Sequence, residues 1–243
     1  MRGIILAAGV GNRLRPHTDH LPKALVPIGD DLTPLHLTLS NFRSVGIDSC
    51  TIVAGYRADV IFDVRESLVD RYGVTIDVVI NDKALEWNNA YSLLVALRTL
   101  GGGDALLVNG DTVHPASFQS ALLAAPPGLV TLAVDGRPGL ADEEMKVLVS
   151  AGQVRRISKL LDPAASDGEY VGLSTLPGIE HGELMRCLEA IVDKNPQLYY
   201  EDGYQEYIDR GNVVGFVSTQ GAPWTEIDDA ADLVRARGIV CQY

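Results

Sequence analysis

Residues 6–25 read LAAGVGNRLRPHTDHLPKAL. The apolar run Gly3–Ala8 predicts a buried strand, and it passes straight into Gly9-Val10-Gly11. Glycines at such a point let the backbone approach a phosphate and aim several N–H groups at it. Arg13, Arg15 and Lys23 follow within a short span. Arginine offers a planar fork to phosphate oxygens and lysine a mobile point charge. Pro16 and Pro22 stiffen the loop between them. A stiff loop carrying three cations suits a triphosphate; the plainer alternative is a glycine turn with solvated basic residues. The stretch is not a Walker A loop, because GxxxxGK[ST] is absent. It is not a dinucleotide fingerprint either, because Arg13-Leu14 stands where the third glycine belongs.

Outward from this stretch, short apolar runs alternate with helical spacing. Ser49–Ala54, Val74–Ile80 and Ala105–Asn109 read as strands, and Leu35–Val45, Val60–Tyr72 and Asn88–Leu100 as helices. Strands alternating with helices predict an α/β, Rossmann-like, mostly parallel sheet flanked by helices. Beyond it, Gly128–Val134, Val171–Leu176 and Val213–Ser218 read as strands. Met145–Val149 and Gln153–Ile157 form a hairpin, expected as a small β insertion, and Glu180–Asp193 and Asp228–Arg237 are helices. No repeat, low-complexity stretch or long linker appears. A single domain over residues 1–243 is expected, with a nucleotide-binding half (1–112) and an acceptor-binding half (113–243).

The fourth expected strand delivers Gly110-Asp111-Thr112. In open α/β sheets ligands sit outside the carboxyl ends of strands, where Asp111 falls. Mg²⁺ takes one or two carboxylates, with phosphate oxygens and water completing its octahedron. The second carboxylate is expected to be Asp228, within Trp224-Thr225-Glu226-Ile227-Asp228. A helix N-cap is the competing reading for Asp228, and a turn or cap aspartate for Asp111.

Bulk properties exclude some classes. With 243 residues, 47% of them hydrophobic, the chain can bury a sizeable core. A formal charge of −12 repels nucleic acid and anionic membrane. No segment reaches the roughly 20 apolar residues of a membrane span. Three sparse cysteines suit a reducing compartment, and none has zinc spacing, so a cytoplasmic location is expected. The sequence leaves self-association into a homo-oligomer open.

The loop resembles the signature GxGxRLxPxTxxxPKxL of the sugar-phosphate nucleotidyltransferase superfamily. Here it stands as Gly9, Gly11, Arg13, Leu14, Pro16, Thr18, Pro22, Lys23 and Leu25. Asn81-Asp82-Lys83 with Asn88-Asn89-Ala90-Tyr91-Ser92-Leu93 resembles the NDK…NNxYSL stretch of bacterial choline-phosphate cytidylyltransferases and of related inositol-1-phosphate and phosphonate cytidylyltransferases. The resemblance implies the nucleotidyltransferase (GT-A-like) fold and Mg²⁺-dependent transfer of a nucleoside monophosphate, CMP favoured, from an NTP to a small phosphorylated or phosphonate acceptor. Pyrophosphate is the other product.

The resemblance also implies residue roles. Arg13, Lys23 and Asp111 would be catalytic, and Asp111 and Asp228 would hold the metal. Asn109 replaces the first Asp of the usual DxD, so one ligand is expected from that loop. The nucleotide site would comprise Leu6, Ala7, Ala8, Gly9, Gly11, Asn12, Arg13, Lys23, Tyr56, Asn81, Asn89 and Ser92. The acceptor site would comprise Lys146, Lys159, Glu169, Tyr200 and Asp202, with Lys159 on the acceptor phosphate. Tyr199-Tyr200-Glu201-Asp202 could cage a quaternary ammonium or be an ordinary amphipathic helix end. The choline-type relatives carry a Trp near Met145 that this chain lacks, and Lys146 suits a more anionic or hydroxylated acceptor. The alternatives are a sugar-1-phosphate thymidylyl-, uridylyl- or guanylyltransferase, a GT-A glycosyltransferase and a non-catalytic nucleotide-sensing module.

Overall fold

The structure is a computed structural model and describes residues 1–241. In chain order its elements are β1 (Arg2–Ala7), α1 (Pro34–Ser44), β2 (Ser49–Ala54), α2 (Ala58–Tyr72), β3 (Thr75–Ile80), α3 (Ala90–Thr99), β4 (Ala105–Asn109) and β5 (Thr112–Val113). There follow α4 (Ala116–Leu123), β6 (Val130–Asp135), β7 (Lys146–Ser150), β8 (Gln153–Ser158), β9 (Gly168–Leu176), α5 (His181–Lys194), α6 (Tyr200–Asp209), β10 (Val214–Ser218), β11 (Thr225–Glu226) and α7 (Ala230–Val240). Two of these helices, α4 and α6, were not expected. Helix α4 has only eight residues, too few turns for a helical period to stand out in the sequence. The stretch that becomes α6 looked like an aromatic and acidic cluster, and only its start had been considered as a helix end.

Nine strands form one mixed sheet in the order β3-β2-β1-β4-β9-β6-β10-β8-β7. Strands β3, β2, β1 and β4 run parallel, as does the pair β6–β10. The joins of β9 to β4 and β6 are antiparallel. Parallel character therefore belongs chiefly to the first half of the chain. The hairpin β7–β8 does not stand apart, because β7 also pairs with β9 and β8 with β10. One continuous sheet runs through both expected halves.

Helices cover both faces, which explains why the central strands are apolar at successive positions. On β1, Ile4 packs with α3, α5 and α6 on one side, while Ile5 packs with α1, α2 and α4 on the other. On β4, Leu107 takes the first side and Leu106 and Val108 the second. A third, smaller cluster joins Leu14, Val26 and Ile28 to Val113, Ile227, Leu233 and Ala236. It fastens the segment after the glycine turn to the C-terminal end of the chain.

Strand order reverses between β1 and β4, since β2 and β3 continue on one side of β1 and β4 lies on the other. At such a switch point the loops leaving two neighbouring strands diverge and open a crevice. The glycine turn leaves β1 there, and Gly110-Asp111 leaves β4 beside it. The two strand ends are in close contact: the Gly110 N–H donates to the Leu6 carbonyl at 2.9 Å. A Cβ on Gly110 would come within 2.7 Å of that oxygen. Among the described residues no helix is long and apolar enough to cross a membrane.

Candidate active site

The crevice is a cleft of about 390 Å³ whose lining includes Gly9, Gly11, Arg13, Lys23, Asp111 and Asp228. Leu6, Ala7 and Asn12 complete the strand end and turn that face it. Gly11 has φ +67, a left-handed conformation that favours glycine, and a Cβ there would meet Lys23 Cγ at 2.7 Å. Its missing side chain lets the Lys23 stem lie across the turn. The Thr18 hydroxyl donates to the Gly11 carbonyl at 2.8 Å and holds the loop closed.

Two tertiary contacts bring the distant carboxylates together. Short strand β11 pairs with β5, Glu226 opposite Thr112, and the Ile227 N–H donates to the Asp111 carbonyl at 3.0 Å. Buried Ile227 plugs the third apolar cluster. Asp229, not Asp228, is the N-cap of α7, accepting from the N–H groups of Ala231 and Asp232. Asp228 is thereby free to turn into the cleft. Lys23 Nζ lies 3.0 Å from Asp111 Oδ2 and 2.5 Å from Asp228 Oδ1, and Arg13 reaches Asp228 Oδ2 at 2.7 Å.

Glu226 joins them, a third acid outside the expected pair Asp111 and Asp228. Ligand atoms of Asp111, Glu226 and Asp228 all lie within 4.8 Å of one another. The readable signal was alternation: in an extended segment residues two apart face the same way, so Glu226 and Asp228 point one way and Ile227 the other. Electrostatics reflect the crowding. Burial works to raise the Asp228 pKa, but Lys23 and Arg13 together hold it below the usual carboxylate range. Burial works against the Lys23 ammonium, yet Asp111 and Asp228 hold its pKa above the ordinary value. Glu226 reaches solvent at the cleft mouth but is pushed up to about 8, by desolvation and then by the charges of Asp111 and Asp228. Three converging carboxylates, all hard oxygen donors and mutually repelling, fit a small divalent cation such as Mg²⁺.

A second cavity of about 490 Å³ shares Arg13 and Asp228 with the first. Lys159, Glu169, Tyr199 and Glu201 are among its lining residues. Lys159 Nζ sits 4.6 Å above the Tyr199 ring, so the chain's own cation occupies that aromatic face. Arg137, also unexpected, bridges Asp135, Glu144 and Glu169 and stacks 5.7 Å from the Trp224 ring. Burial pushes Glu169 up to about 7 despite Arg137 beside it. Asn89 faces this cavity and accepts from the Tyr200 N–H at 2.9 Å through Oδ1.

Several expected site residues lie elsewhere. Lys146 is wholly buried, and its Nζ donates to the carbonyls of Ala141, Asp142 and Glu144 at 3.1, 2.7 and 3.1 Å. It ties down its own loop and cannot touch an acceptor from there. Tyr200 is buried with Tyr170 and Tyr204, its hydroxyl donating to Asn109 Oδ1 at 2.9 Å. Asp202 accepts from the Tyr199 N–H at 2.7 Å at the start of α6. The cavity wall is instead made by their neighbours Tyr199 and Glu201. A helix places successive side chains about 100° apart, and the sequence did not say which of the four faces outward.

On the nucleotide side, Asn81 and Ser92 are buried and bonded to each other at 2.8 Å, with Asn81 Oδ1 also accepting from the Lys83 N–H. The Tyr56 hydroxyl donates to the carbonyls of Thr18 and Asp19 and braces the phosphate loop. Ala8 is buried, its carbonyl accepting from the Tyr56 N–H at 3.0 Å. None of these four is among the residues lining the two cavities.

Residues 2–127 match the family model described as nucleotidyl transferase. A choline-phosphate cytidylyltransferase of Haemophilus influenzae is 29% identical over 220 residues, covering 88% of this chain and 86% of that one. A choline-phosphate cytidylyltransferase of Streptococcus pneumoniae is 41% identical over 101 residues, so the match spans only 41% of either chain. Among solved structures, the inositol-1-phosphate CTP transferase from T. maritima superposes with a TM-score of 0.83 at 24% identity, over 98% of this chain and 95% of that one.

Proposed function

Because the chain belongs to the nucleotidyl transferase family, we propose that it moves CMP from CTP to a small phosphorylated or phosphonate acceptor and releases pyrophosphate. The observation that carries this reading is the wall shared by the two cavities. Arg13 and Asp228 line both, so two phosphate-bearing substrates can meet at one point. The preference for CTP is supported by the cytidylyltransferases similar to this chain.

An acceptor phosphate oxygen attacks the α-phosphorus of the NTP, and the bond from that phosphorus to the β-phosphate oxygen breaks. The attacking oxygen is already ionised near neutral pH, so no strong general base is needed. The residues therefore act by position and charge. N–H groups of the glycine turn cradle the triphosphate. Arg13 neutralises charge on the leaving pyrophosphate, and Lys23 meets the phosphates once drawn from its carboxylates. Asp111, Glu226 and Asp228 would hold Mg²⁺, which would supply charge neutralisation when bound. Lys159 faces the acceptor cavity and is placed to take the acceptor's phosphate.

Incubating the protein with CTP, dTTP, UTP or GTP, Mg²⁺ and a panel of phosphorylated alcohols, phosphonates and sugar 1-phosphates tests this. Pyrophosphate is expected with CTP and a phosphorylated alcohol or phosphonate. Release with dTTP, UTP or GTP and a sugar 1-phosphate, and none with CTP, removes the cytidylyl reading.

A further inference from the structure

The Lys23 ammonium stands between two of the three carboxylates, 3.0 Å from Asp111 and 2.5 Å from Asp228. A ligand atom of Glu226 lies within 4.8 Å of those of Asp111 and Asp228, and its charge also acts on Lys23. A divalent cation bound by these groups would take that same point, since short contacts to the same carboxylate oxygens define it. The site therefore has one cation position and two claimants. The flexible four-carbon stem of Lys23 can serve as a swinging arm. It crosses the side-chain-free face of Gly11, and the glycine turn beside it is the expected triphosphate cradle.

We propose that Lys23 is a built-in placeholder cation, exchanged for the metal ion only when a triphosphate is there to receive its ammonium. The inference rests on the metal-dependent reading above and adds a coupling to it. A metal ion entering alone would evict the ammonium toward Arg13 with no anion to meet it. A triphosphate entering alone would draw Lys23 away and leave three carboxylates facing the phosphates without a counter-charge. Entering together, each removes the other's conflict, so the site selects the metal–nucleotide pair and resists free metal. Lys23 is in this sense a positioning residue for the metal as well as a phosphate contact.

The test is Mn²⁺ binding without nucleotide, followed by electron paramagnetic resonance, in the wild type and in Lys23→Met and Lys23→Gln. Removing a competing unit charge a few ångström away predicts Mn²⁺ affinity at least about tenfold tighter in both variants. Equal or weaker affinity in variants whose circular dichroism matches the wild type overturns the proposal. A second measurement needs no variant: acylation of lysines by an amine reagent, mapped by mass spectrometry, with and without saturating Mn²⁺. Labelling of Lys23 is expected to rise several-fold with Mn²⁺, against constant labelling of exposed Lys194. Unchanged Lys23 labelling at saturation overturns it. Metal-dependent pyrophosphate release by the wild type, with no gain of Mn²⁺ affinity in the variants, sinks this coupling alone. Equal Mn²⁺ affinity in the wild type and Asp111→Asn sinks the metal site itself.

Discussion

At the scale of single residues, the cleft separates groups that act from groups that hold. Glu226 is the residue whose assignment the structure adds, and its effect is measurable. Glu226→Gln removes one of three repelling acids while keeping its shape. Turnover is expected to fall on the order of a hundredfold, as for loss of one electrostatic partner at a reacting centre. The thermal midpoint without metal should hold near neutral pH, where Glu226 keeps its proton, and rise only above about pH 8, where a third like charge would otherwise form. Steady-state pyrophosphate assays and a melting curve check both halves; turnover within twofold of wild type would remove Glu226 from the site. Lys146 is the opposite case. Its buried Nζ donates to three part-buried carbonyls, so Lys146→Met takes away the cation that ties them together. A loss of about 3 kcal/mol is expected in urea unfolding, with KM for CTP unchanged.

At the scale of elements, the bulged strand β9 shapes the second cavity. The register between β6 and β9 shifts between Leu132 and Val134, and Gly172 adopts φ +79 opposite that shift. A Cβ there would meet Asn109 Nδ2 at 2.7 Å. Asn109 in turn receives the Tyr200 hydroxyl, so the bulge, the end of β4 and the start of α6 are one unit. Gly172→Ala combines backbone strain with that clash, and about 1–3 kcal/mol of destabilisation is expected. Because the displaced Asn109 faces the cavity proposed for the acceptor, KM for the acceptor should rise more than KM for the NTP. Equal changes in the two would show that the bulge serves stability alone. Helices α5 and α6 matter here for the same reason, since they press Tyr200 and Tyr204 against β9 and leave Tyr199 and Glu201 at the cavity wall.

At the scale of the whole molecule, buried acids make stability depend on pH. Burial pushes the Glu201 pKa from 4.5 up to about 7. The folded state therefore keeps a proton there that the unfolded chain has lost, and this contribution is present below about 4.5 and disappears as pH rises through about 7. Relative to Glu201→Gln, the wild type should lose on the order of 1–3 kcal/mol across that window. Urea midpoints at several pH values measure it, and a difference that stays flat would refute the assignment. His114, buried and lowered to about 4, acts in the opposite direction, which is why the comparison must be made against the variant and not read from the wild type alone. The chain's own residues settled a good deal. Strand and helix periods, the glycine turn with Arg13 and Lys23, and an acid after β4 are local patterns, and local patterns follow from backbone sterics and from alternation of apolar side chains. What the linear order could not hold was decided by packing. Buried Ile227 seats β11 against β5 and brings Glu226 and Asp228 to Asp111 across more than a hundred residues of chain. Burial likewise turned Lys146 and Tyr200 inward and left Glu201 facing the cavity. Which face of an element meets the core depends on neighbours distant in sequence, and only the folded chain contains that information.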